Sequence, residues 1–336
     1  MRHKSKAVTL REVALRAGVS MATASRALTG GSASQKAQNE VRIAAKELGF
    51  VPSAAAQHLS TGRTNTIAIV MAERTEFIFR DQFLSILVSQ LAVSLNTQGL
   101  LGALILEDPT DPAFFKGLVQ KTGVDGIIMA SCHPSDDLTR SIRSLNIPIV
   151  FVGRPPEGLS HYPYVDVDNF RGGYDAAQYL ISLGRQHIAQ IRGPREMAPS
   201  IDRGAGFSAA MKESGRLQEA VTTQEFSVEQ GQEAMAQLLV KVPDVDAIFA
   251  HSDQIAAGAM QVLAERGKSV PDDVAIIGFD DFDAAKAVNP ELTTMSQPID
   301  KVASAAAGMM AGFLKDGEYE LSKQLFKVPL ILRKSA

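Results

Sequence analysis

From residue 65 onward the chain alternates short apolar runs with amphipathic stretches, a pattern that few folds accept. "TIAIVM", "LGALIL", "DGIIMA", "IPIVFV", "HIAQIR", "DAIFA" and "DVAIIGF" are of strand length and too uniformly apolar to keep one face wet. Between them, 111–122, 170–183, 202–215, 228–240 and 254–267 carry apolar residues at helical spacing. Alternation on this scale predicts doubly wound parallel α/β sheets. A chain of 336 residues has room for two or three domains. The uncharged stretch 82–106 superficially suggests a membrane span. Its Ser85, Ser89, Gln90, Ser94, Asn96, Thr97, Gln98 and Gly99 predict a helix, a turn and a buried strand instead.

The first 65 residues follow a different rule. Thr9-Leu10-Arg11-Glu12 has the T-x-x-E form of a capping box, and Leu10, Val13, Ala14 and Ala17 then make one apolar stripe. Gly18 suits the left-handed residue that ends such a helix, and Ser20 caps the next. On that second helix Ala24, Ala27 and Leu28 face inward, while Met21, Ala22, Ser25 and Arg26 form the opposite face. Ser34 caps a third helix, with Ala37, Val41, Ala44, Ala45 and Leu48 on its inner side and Gly49 at its end. Two short helices joined by a tight turn fit a helix-turn-helix. Taken alone, residues 17–28 fit a ligand-free helical hairpin equally well. Charge separates the two readings. Residues 1–65 hold ten Lys/Arg against three Asp/Glu, a net +7, and the remainder holds 24 against 34, a net −10. A basic head on an acidic body is the electrostatic footprint of phosphate binding.

Several chemistries find no support. There is no G-x-x-x-x-G-K-[ST] loop, no H-E-x-x-H and no G-x-S-x-G elbow. The six histidines show no paired ligand spacing, and His187, before "IAQI", reads as a structural residue at a helix-to-strand turn. The single cysteine, Cys132, leaves no disulfide framework within the chain and fits a reducing cytoplasm. The basic N-terminus lacks the apolar core and cleavage site of a secretory signal. No cofactor is called for, and catalysis is not demanded. A binding cleft fits better, because ligands of open α/β sheets sit at the carboxyl ends of the strands. Asp168 follows "YVDV", Ser252 and Asp253 follow "AIFAH", Asp280 and Asp281 follow "IIGF", and Arg203 opens a helix in "SIDRGAGF". Carboxylates accept from adjacent hydroxyls and a guanidinium donates in a fixed fork, which suits a polyol. Asp253 and Asp280 can also simply cap the helices that follow them. That alternative is the stronger one for Asp253, and ligand contact is the stronger one for Arg203 and Asp280.

"TLREVALRAGVSMATASRAL", "AAKELGFVPSAAAQHLSTGRTNTIAIV" and "PDDVAIIGFDDFDAAKAVNPELTTMSQPI" occur in that order and together resemble the LacI/GalR (lactose-repressor) family of bacterial transcription regulators. The resemblance runs from about Thr9 to about Arg333. It implies an all-α helix-turn-helix head and an α/β body of two doubly wound parallel-sheet subdomains, similar to periplasmic binding proteins. The head would span 1–51, a hinge helix and linker 52–65, and the effector-binding and dimerisation domain 66–336. Within that domain the N-subdomain would take 66–165 and 296–325, and the C-subdomain 166–295 and 326–336.

The resemblance further implies a homodimeric, cytoplasmic, nucleoid-associated repressor that reads a near-palindromic operator in double-stranded DNA and answers to a carbohydrate-like effector, with no membrane partner. It assigns DNA contact to Thr9, Ser20, Met21, Ala22, Thr23, Ser25 and Arg26, and a minor-groove wedge to Leu59. It assigns effector contact to Glu73, Phe77, Asp168, Arg203, Ser252, Gln254 and Asp280. Departures from the family pattern fall on both sites. Ser252 stands where asparagine is common, Pro199 replaces a polar residue, and "MAERTEF" replaces the usual loop after the first strand. In the head, Ala37 and Gln38 replace groups able to touch phosphate, and Ala24 is smaller than the usual valine. With no tryptophan in the chain, Phe77, Phe79 or Tyr162 would have to supply a stacking face. Two other function classes share the body's pattern, a solute-binding protein and an α/β enzyme with a helical appendage. The absent secretory signal and the basic head argue against the first, and turnover of a bound compound would favour the second.

Overall fold

The computed structural model describes residues 8–29, 31–51, 62–71, 73, 78–106, 115, 117–118 and 122–336, and the chain divides into two compact units, Met1–Thr64 and Asn65–Ala336.

In the first unit, α1 (Leu10–Arg16), α2 (Met21–Thr29) and α3 (Gln35–Leu48) pack on one another. The capping box forms: the Thr9 amide donates to Glu12 Oε2 at 2.7 Å, and the Glu12 amide donates back to Thr9 Oγ1 at 3.4 Å. Gly18 turns the chain at φ +66°, and Ser20 Oγ then accepts from the Thr23 amide at 3.1 Å to start α2. Ser34 caps α3, and Gly49 ends it in the left-handed region. The core is small: Val13, Ala14, Ala24, Ala27, Val41, Ala44 and Ala45. Ala24 is fully buried there, at a crossing where a short side chain lets α2 approach its neighbours.

The second unit holds two six-stranded sheets. Chain order through the first sheet is β1 (Thr66–Met71), α4 (Gln82–Thr97), β2 (Leu101–Ile105), β3 (Gly126–Ser131), α5 (Asp136–Arg143), β4 (Ile149–Val152) and β5 (Tyr164–Val167). The second sheet follows: α6 (Asn169–Ser182), β6 (Ile188–Arg192), α7 (Ala198–Glu213), β7 (Glu219–Thr222), α8 (Val228–Lys241), β8 (Ala247–Ala250), α9 (Asp253–Glu265), β9 (Ala275–Asp280), α10 (Asp283–Ala287) and β10 (Thr293–Ser296). Then α11 (Ile299–Asp316) and β11 (Lys323–Phe326) return to the first sheet, and β12 (Leu330–Ile331) ends in the second. Strand order is β11-β5-β4-β3-β1-β2, all parallel, and β12-β10-β9-β8-β6-β7, parallel except for β12. The chain therefore passes between the sheets three times, after β5, after β10 and after β11.

All seven apolar runs form strands, and the stretch 82–106 forms a helix, a turn at Gly99 and a strand. That last strand, β2, is an edge strand with Leu101 65% exposed, so the expectation of burial fails there. The stretch 111–122 lies largely outside the described residues. The edge strands β7, β11 and β12 carry too few apolar residues to stand out by pattern. Helices α6 and α7 meet at their backbones: a Cβ on Gly173 would sit 2.0 Å from the Arg203 carbonyl oxygen, and one on Gly206 would sit 1.9 Å from that of Phe170. Only glycine permits that approach.

Candidate functional site

The carboxyl ends of both sheets open on one cavity of about 1090 Å³. Strand ends of the first sheet bring Glu73, Ser131, His133, Arg154 and Asp166 to it, and those of the second bring Glu196, Ser252, Asp253, Asp280 and Gln297. This is where open α/β sheets place ligands.

Arg203, on the second turn of α7, is the buried centre of the second wall. Its Nε donates to Asn169 Oδ1 at 2.8 Å, its Nη1 donates to the His251 carbonyl, and its guanidinium lies 3.5 Å from the centre of the Phe279 ring. Asp280 Oδ1 is 3.9 Å from Nη1 and accepts from Gln297 Nε2 at 2.6 Å. Burial pushes the Asp280 carboxyl well above the usual carboxylate range, with Arg203 opposing the shift, and burial lowers the Arg203 guanidinium. Asp280 also sits at φ +131° and Asp281 at +64°, two consecutive non-glycine residues in a region costly for L-amino acids. Such strain persists only where the surroundings over-determine it. Arg333 holds Asp281 from the far end of the chain.

Asp253 is not a cap. Ser252 performs that role, its Oγ accepting from the Ile255 amide at 3.1 Å. The buried Asp253 carboxylate instead accepts from the Phe282 amide at 3.0 Å and from Thr294 Oγ1 at 2.5 Å, tying α9 to the segments after β9 and within β10. Burial raises it to about 7, and burial likewise raises Asp81 and Asp166 to about 6.

On the first wall Glu73 Oε1 accepts from Ser131 Oγ at 2.7 Å, and His133 Nε2 lies 3.2 Å from Glu73 Oε2. His133 Nδ1 faces Glu196 Oε1, on the other wall, at 3.0 Å. With a carboxylate at each ring nitrogen, His133 rises to about 9, its hydrogen bond to Glu73 being the largest cause. A second bridge is bidentate: Arg154 Nε and Nη2 each donate to Asp202 at 2.9 Å.

The structure gathers Glu73, Arg203, Ser252, Gln254 and Asp280 around the cavity. It does not bring Asp168 there. Asp168 caps α6, accepting from the Arg171 amide at 2.9 Å, and the cavity is met instead by Asp166 and Asn169. The side chain turns away because β5 has ended by residue 168 and the helix cap claims the carboxylate. Phe77 lies outside the described residues, as does Leu59. Neither Phe79, 63% exposed, nor Tyr162, packed on Phe151, lines the cavity. Phe83, Phe151, Phe226 and Phe282 do. His187 sits just before β6, its amide donating to Asp246, which fits the structural role expected of it. His133, Asp166 and Glu196 were open to the same strand-end argument that picked out Asp280.

In the head, Met21, Ala22 and Arg26 are exposed on α2, with Thr23 and Ser25 partly so. The hydroxyls of Thr9 and Ser20 are engaged in capping and lie at the starts of α1 and α2. This face carries no acidic residue, so it presents apolar groups, hydroxyls and one guanidinium.

Comparison with known proteins matches residues 9–53 to the family of bacterial regulatory proteins termed lacI, and residues 177–336 to a periplasmic binding protein-like domain. The HTH-type transcriptional regulator CelR of Thermobifida fusca is 34% identical over 334 residues, covering 97% of this chain and 98% of that protein. The HTH-type transcriptional repressor CytR of Escherichia coli K12 is 30% identical, covering 98% and 96%. A solved transcriptional regulator CelR–cellobiose complex superposes with a TM-score of 0.77 at 32% identity, covering 98% of this chain and 100% of that one.

Proposed function

The chain belongs to the lacI family of bacterial regulatory proteins, and from that premise we propose how its two units divide the work. The protein is a DNA-binding transcription regulator, a repressor controlled by a sugar effector. The head reads the operator through α2, with Arg26 on base edges, Met21 and Ala22 against thymine methyls, and Thr9, Ser20, Thr23 and Ser25 at or near the phosphates. The cleft takes the effector between its walls. Arg203, Asp280, Gln254 and Ser252 approach it from one side and Glu73 from the other, consistent with the sugar held by the CelR relative.

The observation that carries this reading is the joint presence of a basic helix-turn-helix and a large cleft of convergent polar groups in one chain. A homodimer on a near-palindromic site follows from the family's mode of recognition. The relatives are transcription regulators, and we infer that this chain likewise performs no catalysis and works at the nucleoid in the cytoplasm.

Selection of duplexes from a random-sequence library by the full-length protein tests the reading. Retained sequences should share two inverted half-sites, and a sugar that binds the cleft should change their retention. Equal retention of all sequences would leave a solute-binding protein. Consumption of a bound sugar would make it an enzyme.

A further inference from the structure

The charge of the cleft wall is lopsided. Glu73, Asp81, Asp166, Glu196, Asp253 and Asp280 all line it. Its cations are His133, Arg154 and Arg203, and no lysine joins them among the described lining residues. Each of the three is already committed. His133 lies between Glu73 and Glu196, and Arg154 clamps Asp202. Arg203 is spent on Asn169, the His251 carbonyl and the Phe279 face, with Asp280 beside it. Among the described lining residues, a ligand phosphate or carboxylate would therefore meet an excess of carboxylates over cations. Its oxygens only accept hydrogen bonds, and so do those of each ionised carboxylate of the wall. Sugar hydroxyls face no such conflict, because each donates to a carboxylate and accepts from an amide such as that of Gln254.

Size adds a second constraint. The cavity, about 1090 Å³, exceeds the usual small-molecule range of about 300–1,000 Å³, and a single sugar ring would leave most of it unfilled. Four phenylalanine rings are distributed over the lining, Phe83, Phe151, Phe226 and Phe282, enough to meet the apolar faces of more than one ring. Phe226 lies directly on the chain at Gly193, where a Cβ would fall 2.1 Å from the ring.

We propose that the cleft takes an uncharged saccharide of more than one ring and rejects its phosphorylated or carboxylated counterparts, with Glu73 as a charge-selecting residue. The proposal rests on the reading of the cleft as a sugar-effector site. Glu73 is singled out because removing its charge acts twice, subtracting a negative charge from the wall and weakening the hold on His133 Nε2.

The test is titration calorimetry of the full-length protein, in parallel with operator retention. The probes are cellobiose, maltose, sucrose, trehalose and their trisaccharide homologues, together with cellobionate, maltobionate, sucrose 6-phosphate, glucose, gluconate and glucose 6-phosphate. The neutral oligosaccharide that binds should exceed its acid or phosphate derivative by at least about tenfold, a gap that shrinks at 1 M salt as screening shortens to about 3 Å. Glu73→Gln should narrow the same gap. An acid or phosphate derivative binding as tightly as its neutral parent in the wild-type protein would overturn the proposal, and so would glucose binding as tightly as any oligosaccharide. Neither result would touch the sugar-effector reading. Failure of every probe to bind or to alter operator retention would remove that reading and the proposal together.

Discussion

His133 and Glu196 stand 3.0 Å apart on opposite walls of the cleft, joined end to end with Glu73 through the second nitrogen of the same imidazole. Each contact needs a proton on the nitrogen, so the three-residue bridge is complete only while His133 is a cation. Because the pKa rises from an ordinary 6.5 to about 9, the stabilisation is fully present below about pH 6.5 and disappears as pH climbs through about 9. Comparing the melting temperature of the wild type with that of His133→Gln at about pH 6 and about pH 10 checks this. The difference should be large at the lower pH and nearly gone at the higher. A difference independent of pH would mean that the imidazole acts by packing alone.

Asp280→Asn keeps the shape of the second wall while exchanging a carboxyl group for an amide. The expected outcome is weaker effector binding with effector-free operator affinity within a few-fold of wild type. Gln297, whose amide donates to Asp280 at 2.6 Å, can rotate to serve the new group, so stability should change little. Calorimetry and fluorescence anisotropy on the same preparation separate the two affinities, and loss of operator binding with retained effector binding would make Asp280 a structural residue.

Arg203→Ala should behave differently, although both residues stand out in the sequence as candidates for ligand contact. The guanidinium fills a site with 5% residue exposure and satisfies Asn169 and the His251 carbonyl. Breaking such a buried charged network costs about 3–5 kcal/mol. Denaturant melts should show that loss even without effector. If Arg203→Ala melts like the wild type, the arginine is held for ligand contact only.

How much of this was legible beforehand follows from physics particular to each residue. Six of the seven apolar runs became inner strands because a buried parallel strand needs a continuous apolar stretch; β2 is an apolar edge strand, whereas the edge strands β7 and β11 needed no such stretch. Arg203 and Asp280 were legible because a helix start and a strand end fix where such groups lie. Asp168 was misplaced because the cap of α6 outbids the cavity for its carboxylate. The strand-end argument reaches His133 and Glu196 as cavity residues, but not their pairing, which joins two strand ends 63 residues apart and leaves no trace in local pattern.

Arg26 is the one basic residue on the outward side of α2, exposed and free of neighbouring acids within that helix. A guanidinium pairs bidentately with guanine in the major groove, and each such contact is worth about 1–3 kcal/mol of discrimination. Arg26→Ala should relax preference at one base pair per half-site and leave the salt dependence of binding nearly intact. Binding to an operator library at two salt concentrations measures both, and unchanged preference with a shallower salt slope would reassign Arg26 to the backbone phosphates.

Gly173 ties the fold to the site most directly. Its Cα faces the Arg203 carbonyl so closely that an added methyl would fall 2.0 Å from that oxygen, with the Arg203 Cα itself at 3.0 Å. Backbone cannot swing aside as a side chain can, so Gly173→Ala must push α7 away from α6. Overpacking of this kind costs about 1–3 kcal/mol. The displacement falls on the helix turn that carries Arg203, so effector affinity should drop along with melting temperature, although residue 173 does not line the cavity. Gly102→Ala supplies the comparison. It crowds Ile69 and Leu95 at 3.1 and 3.2 Å, and none of these three residues lines the cavity. Calorimetry should find a larger loss of effector affinity in Gly173→Ala than in Gly102→Ala for the same loss of stability. Equal losses of affinity would show that the cleft responds to global stability and not to the seat of α7.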